Sequence, residues 1–160
     1  NSISDYYDNG KIVYPNNYGH SDIRVWLSMY FYKPAFSLDN SHLILTTVDN
    51  SASTTSNSSS AYASDNTEGY VFLPSYKDYY NSSYGFNFNS DRCCRTTDWA
   101  RARGAYCSTK SEYLYNGEYW TRSPGDTPKM SYAISESGSI GQNSIYNSEC
   151  AVRPAITLVL

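Results

Sequence analysis

The sequence is poor in charged residues and in histidine. Only 17% of its 160 residues are Asp, Glu, Lys or Arg, the net charge is −3 and the isoelectric point is near 5.2. No basic surface is therefore available to neutralise a phosphate backbone, and we expect no nucleic-acid partner. The chain also lacks the run of about 18 to 20 apolar residues that a membrane helix requires, so we expect no membrane insertion.

The residue types that most catalytic and metal sites use are scarce or scattered. His20 and His42 lie in no recognisable catalytic context, which predicts that the chain is not an enzyme. Two loop pairs, Asp49-Asn50 and Asp65-Asn66, offer the carboxylate and amide oxygens that a calcium site uses. Turn and capping roles explain these pairs more simply. The sequence therefore requires neither a metal ion nor a cofactor.

The four cysteines do not follow a known ligand or redox spacing. Cys93, Cys94, Cys107 and Cys150 match neither paired C-x-x-C zinc knuckles nor a thioredoxin-like pair. Cys107 could close a short loop with either of its two predecessors, and free buried thiols are an equal alternative.

Tyrosine is abundant instead, with 18 copies embedded among Ser and Asn. Tyr offers a large contact area at low rotamer cost, and Ser and Asn adapt their hydrogen bonds, so the mixture is typical of recognition surfaces. The alternative for any single tyrosine is a half-buried strand position. Together with the low lysine content, this composition favours a secreted or cell-surface protein.

Periodicity predicts one α+β domain over residues 1–160. A helix is expected over residues 21–31, capped by Ser21 and ended by Pro34, with a further short helical stretch reaching Leu43. A second helix is expected over residues 97–103, with Trp99 and Ala102 facing inward and Gly104 at its end. We expect residues 49–67 to form an exposed loop. Strands are expected at residues 11–14, 44–48, 70–73, 118–122, 131–135, 139 onward and 151–160.

Several segments resemble, in order along the chain, a domain of unknown function found in secreted and surface proteins of gut bacteria. They are Ser21-Asp22-Ile23-Arg24-Val25-Trp26-Leu27, Ala35-Phe36-Ser37, Thr46-Thr47-Val48-Asp49-Asn50, Asp65-Asn66-Thr67, Val71-Phe72-Leu73-Pro74-Ser75, Thr97-Asp98-Trp99-Ala100, Trp120-Thr121-Arg122-Ser123-Pro124 and Val152-Arg153-Pro154-Ala155. That domain is similar to the C-type-lectin-like fold of formylglycine-generating enzymes and of the variable proteins of diversity-generating retroelements. The resemblance implies two helices beside a small twisted antiparallel sheet with long loops.

The resemblance also implies a division of the C-terminal third into framework and binding residues. The implied framework consists of Trp120, Arg122, Pro124, Gly138, Val152, Arg153 and Pro154. The implied ligand-binding surface consists of Tyr119, Asp126, Met130, Ser131, Tyr132, Gln142, Asn143, Tyr146, Asn147 and Glu149, with its three tyrosines on one face of the sheet. Trp26 and Trp99 are expected in the core.

These inferences together predict a non-catalytic module that binds a protein or glycan ligand outside the cell. The resemblance to variable proteins implies a surface open to diversification by a retroelement. The rival prediction is a structural or assembly subunit of an extracellular surface structure. The resemblance implies more strand-forming sequence before Gly19 than residues 1–18 provide, so we expect the first strand to be missing or supplied by something else. An edge left open there would allow self-association.

Overall fold

The computed structural model describes residues 6–8, 10–52 and 60–159, in which short strands and short helices alternate with long connections. The strands are β1 (Tyr6–Asp8), β2 (Lys11–Val13), β3 (Thr46–Val48), β4 (Thr67–Gly69), β5 (Val71–Phe72), β6 (Tyr119–Pro124), β7 (Met130–Ile134), β8 (Ile140–Ser144) and β9 (Ala155–Ile156). The helices are α1 (Asp22–Trp26), α2 (Lys33–Ala35), α3 (Asn89–Arg92) and α4 (Asp98–Ala102), and a π-helical segment (Leu27–Tyr32) joins the first two. Single 3-10 turns occupy Tyr18–His20, Ser60–Tyr62, Asp78–Tyr80, Ser82–Tyr84 and Ser111–Tyr113.

All the named strand pairs are antiparallel, which makes the architecture α+β. Strands β6, β7 and β8 form the largest sheet, and the pairs β1-β2, β3-β4 and β5-β9 form two-stranded sheets. The strands predicted at residues 118–122, 131–135 and 139 onward are confirmed with small shifts of their ends. The long strand predicted at residues 151–160 is wrong, because its described part, residues 151–159, contains only β9 and isolated bridges at Ala151 and Leu158.

The first helical region begins where the sequence predicts. The Ser21 hydroxyl caps α1 by accepting a hydrogen bond from the Arg24 backbone N–H at 3.3 Å. The helical region ends one residue beyond Pro34, at Ala35, and Phe36 leaves the helical conformation. The helical stretch predicted to reach Leu43 is wrong, since that residue instead bridges to Leu158.

The three-stranded sheet is the middle layer of the fold, because an apolar cluster packs on each of its faces. Trp120 and Ala133 belong to the cluster that receives Leu27 and neighbouring residues of the first helical region. Tyr119 and Ile134 belong to a second cluster, built around Tyr79 with Phe86 and Cys94 against it. Because both faces of the sheet are covered, only parts of its edges are exposed. A ligand surface that involves the sheet can therefore lie only at those edges.

The predicted Ser/Thr/Asn-rich loop is anchored at its two ends. Val48 of β3 pairs with Thr67 of β4, and the amide of Asn50, only 2% exposed, donates to the Asp65 carbonyl and to the Thr67 hydroxyl. This is the turn-stabilising role that the sequence favoured over calcium binding. The middle of the predicted loop, residues 53–59, lies outside the described residues.

The second helix is shorter than predicted, and its orientation corrects one core assignment. The Thr97 hydroxyl caps α4 as expected, and Gly104 follows the helix with φ +90°. Trp99 is 58% exposed, with the Arg103 guanidinium 4.3 Å from its ring centroid, and Ala102 is exposed too. Neither faces inward, because the five-residue helix turns Ala100 toward the protein instead. Trp26, by contrast, packs against the core as predicted.

Candidate ligand-recognition surface

Strand alternation separates the predicted binding residues onto two faces of the sheet. Cross-strand pairs put Tyr119 opposite Ile134 and Tyr132 opposite Gln142, and Met130 is two residues before Tyr132 in β7. These residues share one face, called here the tyrosine face, because side chains two apart in a strand point the same way. Ser131, Ala133 and Asn143, with Trp120 of β6, occupy the opposite face, called the helix face. The predicted residues are therefore divided between the two faces, although Tyr119 and Tyr132 share one as expected.

Tyr119 is a framework residue and not a contact residue. Its side chain is 2% exposed, and its hydroxyl donates to the Arg92 carbonyl at 2.5 Å. Arg153 Nη1 donates to the same hydroxyl oxygen at 2.9 Å and to the Arg92 carbonyl at 3.2 Å. The Arg153 side chain thus has the framework role that the resemblance implies. Tyr119 is withdrawn from the surface, since burial in the apolar cluster leaves no room for a ligand.

The remaining predicted residues fall into two spatial groups and one turn. Asp126, Gln142, Tyr132 and Met130 lie at the tyrosine face or its end, whereas Ser131 and Asn143 lie on the helix face. Tyr146, Asn147 and Glu149 follow β8 in a turn, where the Asn147 side chain accepts from the Glu149 N–H at 2.9 Å. Tyr146 is 53% exposed. Whether any of these residues binds a ligand stays a prediction.

Asp126 and Gln142 form a reciprocal pair at the end of the tyrosine face. The Gln142 side-chain amide donates to the Asp126 carboxylate at 2.5 Å, and its carbonyl oxygen accepts from the Asp126 backbone N–H at 2.8 Å. Two hydrogen bonds fix the orientation of both side chains. A fixed carboxylate-amide pair is a preorganised polar contact, which costs little entropy when a ligand binds.

An aromatic row continues from this pair. Gln142 lies across the strands from Tyr132, whose ring centroid is 4.7 Å from that of Tyr76, and Tyr76 is 4.8 Å from Tyr80. Tyr132 is only 8% exposed, so its role is to support the other rings from within the protein. Tyr80 is the exposed end of the row, with 55% of its surface accessible. We call the set Tyr76, Tyr80, Asp126, Tyr132 and Gln142 the Tyr-Gln surface.

Sequence reasoning did not assign Tyr76 and Tyr80 to a site. They belong to a Tyr-rich segment 40 or more residues before β7, and the only available signal was the density of tyrosine itself. The buried Ser123 hydroxyl of β6 accepts a hydrogen bond from the Tyr76 backbone N–H at 2.8 Å. The sheet therefore positions this distant segment directly.

The Tyr-Gln surface combines phenol groups with one carboxylate and two neighbouring cations. Burial, together with a hydrogen bond from its hydroxyl to Tyr80, raises the pKa of Tyr76 to about 12. The Lys77 ammonium lies 5.9 Å from the Tyr76 ring centroid, and the Arg92 guanidinium lies 5.5 Å from that of Tyr80. Phenol groups beside cations and one carboxylate provide donors, acceptors and apolar area together.

Arg122 also has the framework role that the sequence predicts. Its Nη1 donates to the Leu73 carbonyl at 2.8 Å and to the Asp78 carboxylate at 2.7 Å, and its Nη2 donates to the Asp49 carbonyl at 3.3 Å. With a residue exposure of 6%, this guanidinium joins the sheet to two distant segments.

No cluster of three or more His, Cys, Asp or Glu side chains in the described part of the chain could hold a metal ion. The exposed His20 ring lies 3.7 Å from the Asp8 carboxylate, and His42 is exposed. The four cysteines are free thiols in this structure, and burial raises the pKa of Cys150 above the ordinary thiol range. None of the described helices has the length and apolar character needed to cross a membrane.

The fold and surface thus define a mixed α+β domain with few helices, small antiparallel sheets and a Tyr-rich surface. The chain belongs to the family described as domain of unknown function DUF6273, which it matches over residues 2–160. No curated protein and no solved structure matches it.

Proposed function

We propose that this chain is a non-catalytic recognition domain that acts outside the cell and binds a protein or glycan ligand through the Tyr-Gln surface. The observation that carries the proposal is the unbroken series of contacts from Asp126 through Gln142, Tyr132 and Tyr76 to Tyr80. A C-type-lectin-like fold related to retroelement-diversified proteins remains part of this proposal.

The chemistry of the surface suits recognition better than catalysis. Tyrosine has few rotatable bonds and presents both an apolar ring and a hydroxyl, so it contributes contact area at low entropic cost. The Asp126-Gln142 pair adds directional hydrogen bonds beside the rings. A sugar ring or an extended peptide would stack on Tyr80 and hydrogen-bond to the carboxylate-amide pair.

The support beneath the surface explains how it could tolerate different contact side chains. Ser123 holds the Tyr76 backbone, and the β7-β8 ladder holds Gln142, through main-chain or buried hydrogen bonds. Side chains that project from such a frame are replaceable without loss of the frame. This property is what a diversified binding module needs.

The test is a binding screen followed by matched point variants. The purified domain is screened against an array of defined glycans and a panel of purified extracellular proteins. For any ligand found, Tyr80→Ala and Gln142→Ala are expected to weaken the Kd at least about tenfold, equal to about 1.4 kcal/mol. Tyr30→Ala is the control, because Tyr30 is 69% exposed in the helical region that packs on the opposite face.

The proposal fails if ligands bind equally well to both surface variants, or if Tyr30→Ala weakens binding as much as they do. Far-ultraviolet circular dichroism of each variant checks that the fold is retained. Tyr80 is exposed, so its truncation is expected to leave the fold intact.

Open strand edges favour assembly as a second candidate function. Among the described strands, β8 pairs only with β7, and β2 pairs only with β1. Such edges present unpaired backbone groups to a neighbouring chain. Light scattering across a concentration series distinguishes the two functions: growth to ordered filaments supports assembly, and a monodisperse monomer at high concentration contradicts it.

A further inference from the structure

Exposed arginine and aromatic side chains collect on α4 and on the loop residue beside it. Trp99 is 58% exposed and Tyr115 is 45% exposed, and the three arginines near them are all exposed. We call the set Arg95, Trp99, Arg101, Arg103 and Tyr115 the Arg-Trp surface. None of these five residues belongs to the Tyr-Gln surface.

Cation-ring contacts hold the side chains of the Arg-Trp surface in place. The guanidinium carbons of Arg95 and Arg101 lie 5.8 Å and 6.0 Å from the centroid of the Tyr115 ring. The guanidinium carbon of Arg103 lies 4.3 Å from the centroid of the Trp99 ring. Such contacts restrict long side chains that are otherwise mobile, so less entropy is lost when a partner binds them.

The backbone fixes the position of the Tyr115 ring. Its φ is +68°, the only positive φ among the non-glycine residues that the structure describes. Its N–H donates to the Ser108 carbonyl at 2.9 Å, and its carbonyl accepts from the Thr96 N–H at 2.8 Å. A bulky residue in this left-handed conformation is strained, and strain of this kind is concentrated at functional sites.

The Arg-Trp surface carries an excess of positive charge, although the whole chain has a net charge of −3. Arg101 pairs with the Asp98 carboxylate at 3.4 Å, whereas Arg95 and Arg103 form no ion pair within the described part of the chain. Asp98 is fully exposed, so a competing carboxylate can replace it at little cost. At least two positive charges are therefore left for a partner.

The polar groups of this surface are mostly donors. A guanidinium has five N–H donors and no acceptor, and the Trp99 indole has one donor and no acceptor. A partner must therefore present acceptors, and a carboxylate accepts two parallel hydrogen bonds from one guanidinium. A neutral sugar fits less well, because its hydroxyl groups need acceptors as well as donors.

The apolar part of the surface favours a protein over an acidic polysaccharide or a nucleic acid. Leu114, next to Tyr115, is 43% exposed and offers a contact to an apolar side chain. Arg103 covers part of the Trp99 ring, which leaves less ring area for the stacking of bases or sugars. Trp, Tyr and Arg are also the residue types that contribute most binding energy at protein-protein interfaces.

We propose that the Arg-Trp surface docks an acidic protein segment in which Asp or Glu residues lie near an apolar side chain. Two carboxylates of the segment would accept from Arg95 and Arg103, and a third would replace Asp98 at Arg101. The apolar side chain would lie against Trp99. The inference is independent of the proposed function, because the two surfaces share no residue.

The test measures binding of fluorescently labelled peptides to the purified domain by fluorescence anisotropy. The probe is a short peptide of Glu residues with Leu at every third position, and its counterpart has Gln in place of every Glu. For the acidic peptide we expect a Kd of about 100 μM or tighter at about 50 mM NaCl, weakened at least about tenfold at about 300 mM NaCl. The Gln peptide should bind at least about tenfold more weakly than the acidic peptide.

Charge variants locate the peptide on the Arg-Trp surface. Arg101→Gln and Arg103→Gln are each expected to weaken binding of the acidic peptide at least about fivefold. Asp98→Asn is expected to strengthen it about twofold, because it removes the competing carboxylate. Lys11→Gln is the matched control, since it removes one exposed positive charge from β2. All four positions are exposed, and circular dichroism checks that each variant keeps the fold.

Two ring variants separate this surface from the Tyr-Gln surface. Tyr115→Asn removes the ring but keeps a residue that tolerates the left-handed backbone, and it should weaken binding of the acidic peptide at least about fivefold. Tyr80→Ala, which is expected to weaken ligand binding at the Tyr-Gln surface, should leave binding of the acidic peptide unchanged. The two proposals can therefore fail separately.

Three results would overturn the inference. The first is that the acidic peptide does not bind at low salt, or binds no better than the Gln peptide. The second is tighter binding of a heparin fragment or a single-stranded oligonucleotide than of the acidic peptide, which would assign the surface to a different polyanion. The third is binding of the acidic peptide that both arginine variants retain in full.

Discussion

The guanidinium of Arg153 donates a 2.9 Å hydrogen bond to the phenol oxygen of Tyr119 and lies 5.3 Å from the centroid of the same ring. The same Nη1 also reaches the Arg92 carbonyl, to which the Tyr119 hydroxyl itself donates. One arginine thus ties the end of the chain to the tyrosine face of the sheet and to the segment that ends α3.

Replacement of Arg153 by Ala should therefore lower stability. Loss of two partly buried charge-assisted hydrogen bonds predicts a decrease of about 2 kcal/mol in the free energy of unfolding, or roughly 4–8 °C in Tm. Thermal unfolding followed by circular dichroism measures it. Arg101→Ala is the control, because Arg101 is exposed and pairs only weakly, at 3.4 Å, with Asp98. Equal Tm values for wild type and Arg153→Ala would contradict the framework role.

The ion pair between Arg122 and Asp78 predicts a larger effect. The guanidinium side chain is 6% exposed and the carboxylate 27%, so Asp78→Ala leaves a buried charge without its partner. Removal of one partner of such a pair costs about 3–5 kcal/mol. Asp98→Ala, at a fully exposed carboxylate, should cost less than about 1 kcal/mol. Unfolding in urea measures the free energy of unfolding of both variants. Similar losses of stability in Asp78→Ala and Asp98→Ala would show that the Arg122-Asp78 ion pair is not structurally important.

Gly138 should resist substitution because of both its conformation and its surroundings. Its φ is +77°, and a Cβ atom there would lie 1.8 Å from the Asn89 carbonyl oxygen. Gly138→Ala is expected to destabilise the domain by about 3 kcal/mol or more, since backbone strain of about 1–2 kcal/mol adds to a main-chain clash. Gly10→Ala is the control, with φ +79° but open space around the new methyl group, and should cost about 1 kcal/mol. If Gly138→Ala and Gly10→Ala lowered the urea midpoint by the same amount, the close approach to Asn89 would not contribute to the destabilisation.

Buried phenols predict a loss of stability at alkaline pH. Burial raises the pKa of Tyr18, Tyr79 and Tyr119 above the ordinary value. Unfolded phenols lose their protons near pH 10, whereas the folded ones keep them, so the unfolded state binds fewer protons above that pH. The stabilisation is fully present below pH 10 and should decrease as pH rises further.

Urea unfolding at pH 8, 9, 10 and 11 tests this, with tyrosinate absorbance recorded in parallel. Tyr79→Phe removes one of these phenols and should show a shallower decrease above pH 10 than wild type. The buried-phenol explanation is wrong if folded wild type ionises all its tyrosines near pH 10.

Much of the local structure was predictable from short-range patterns. The caps at Ser21 and Thr97, the left-handed glycine after α4 and the three C-terminal strands each depend on residues within a few positions of one another. The framework roles of Arg122 and Arg153 were implied by the family resemblance, and both guanidinium groups bind backbone carbonyls.

The candidate surface was only partly predictable. Asp126 and Gln142 were expected, but Tyr119 and Tyr132 were assigned to contacts although the first is core and the second a support. Tyr76 and Tyr80 were not assigned at all, because their neighbours in space come from β7, more than 40 residues along the chain. Trp99 was predicted to lie in the core, and this was wrong. A short helix has too few residues for its sequence to show which side the rest of the protein covers.

By itself the sequence determined the α+β class, the low charge content, the abundance of tyrosine and the positions of the main strands, because these follow from composition and from period-2 and helical spacing. Tertiary structure alone decided which alternate residues of β6, β7 and β8 are buried. Alternation divides a strand into two sides, but both faces of this sheet are covered, by residues 15–36 on one side and residues 76–94 on the other. Which residues of the three strands remain exposed therefore depends on how far those distant segments extend over the sheet. The sequence of the strands themselves does not contain that information.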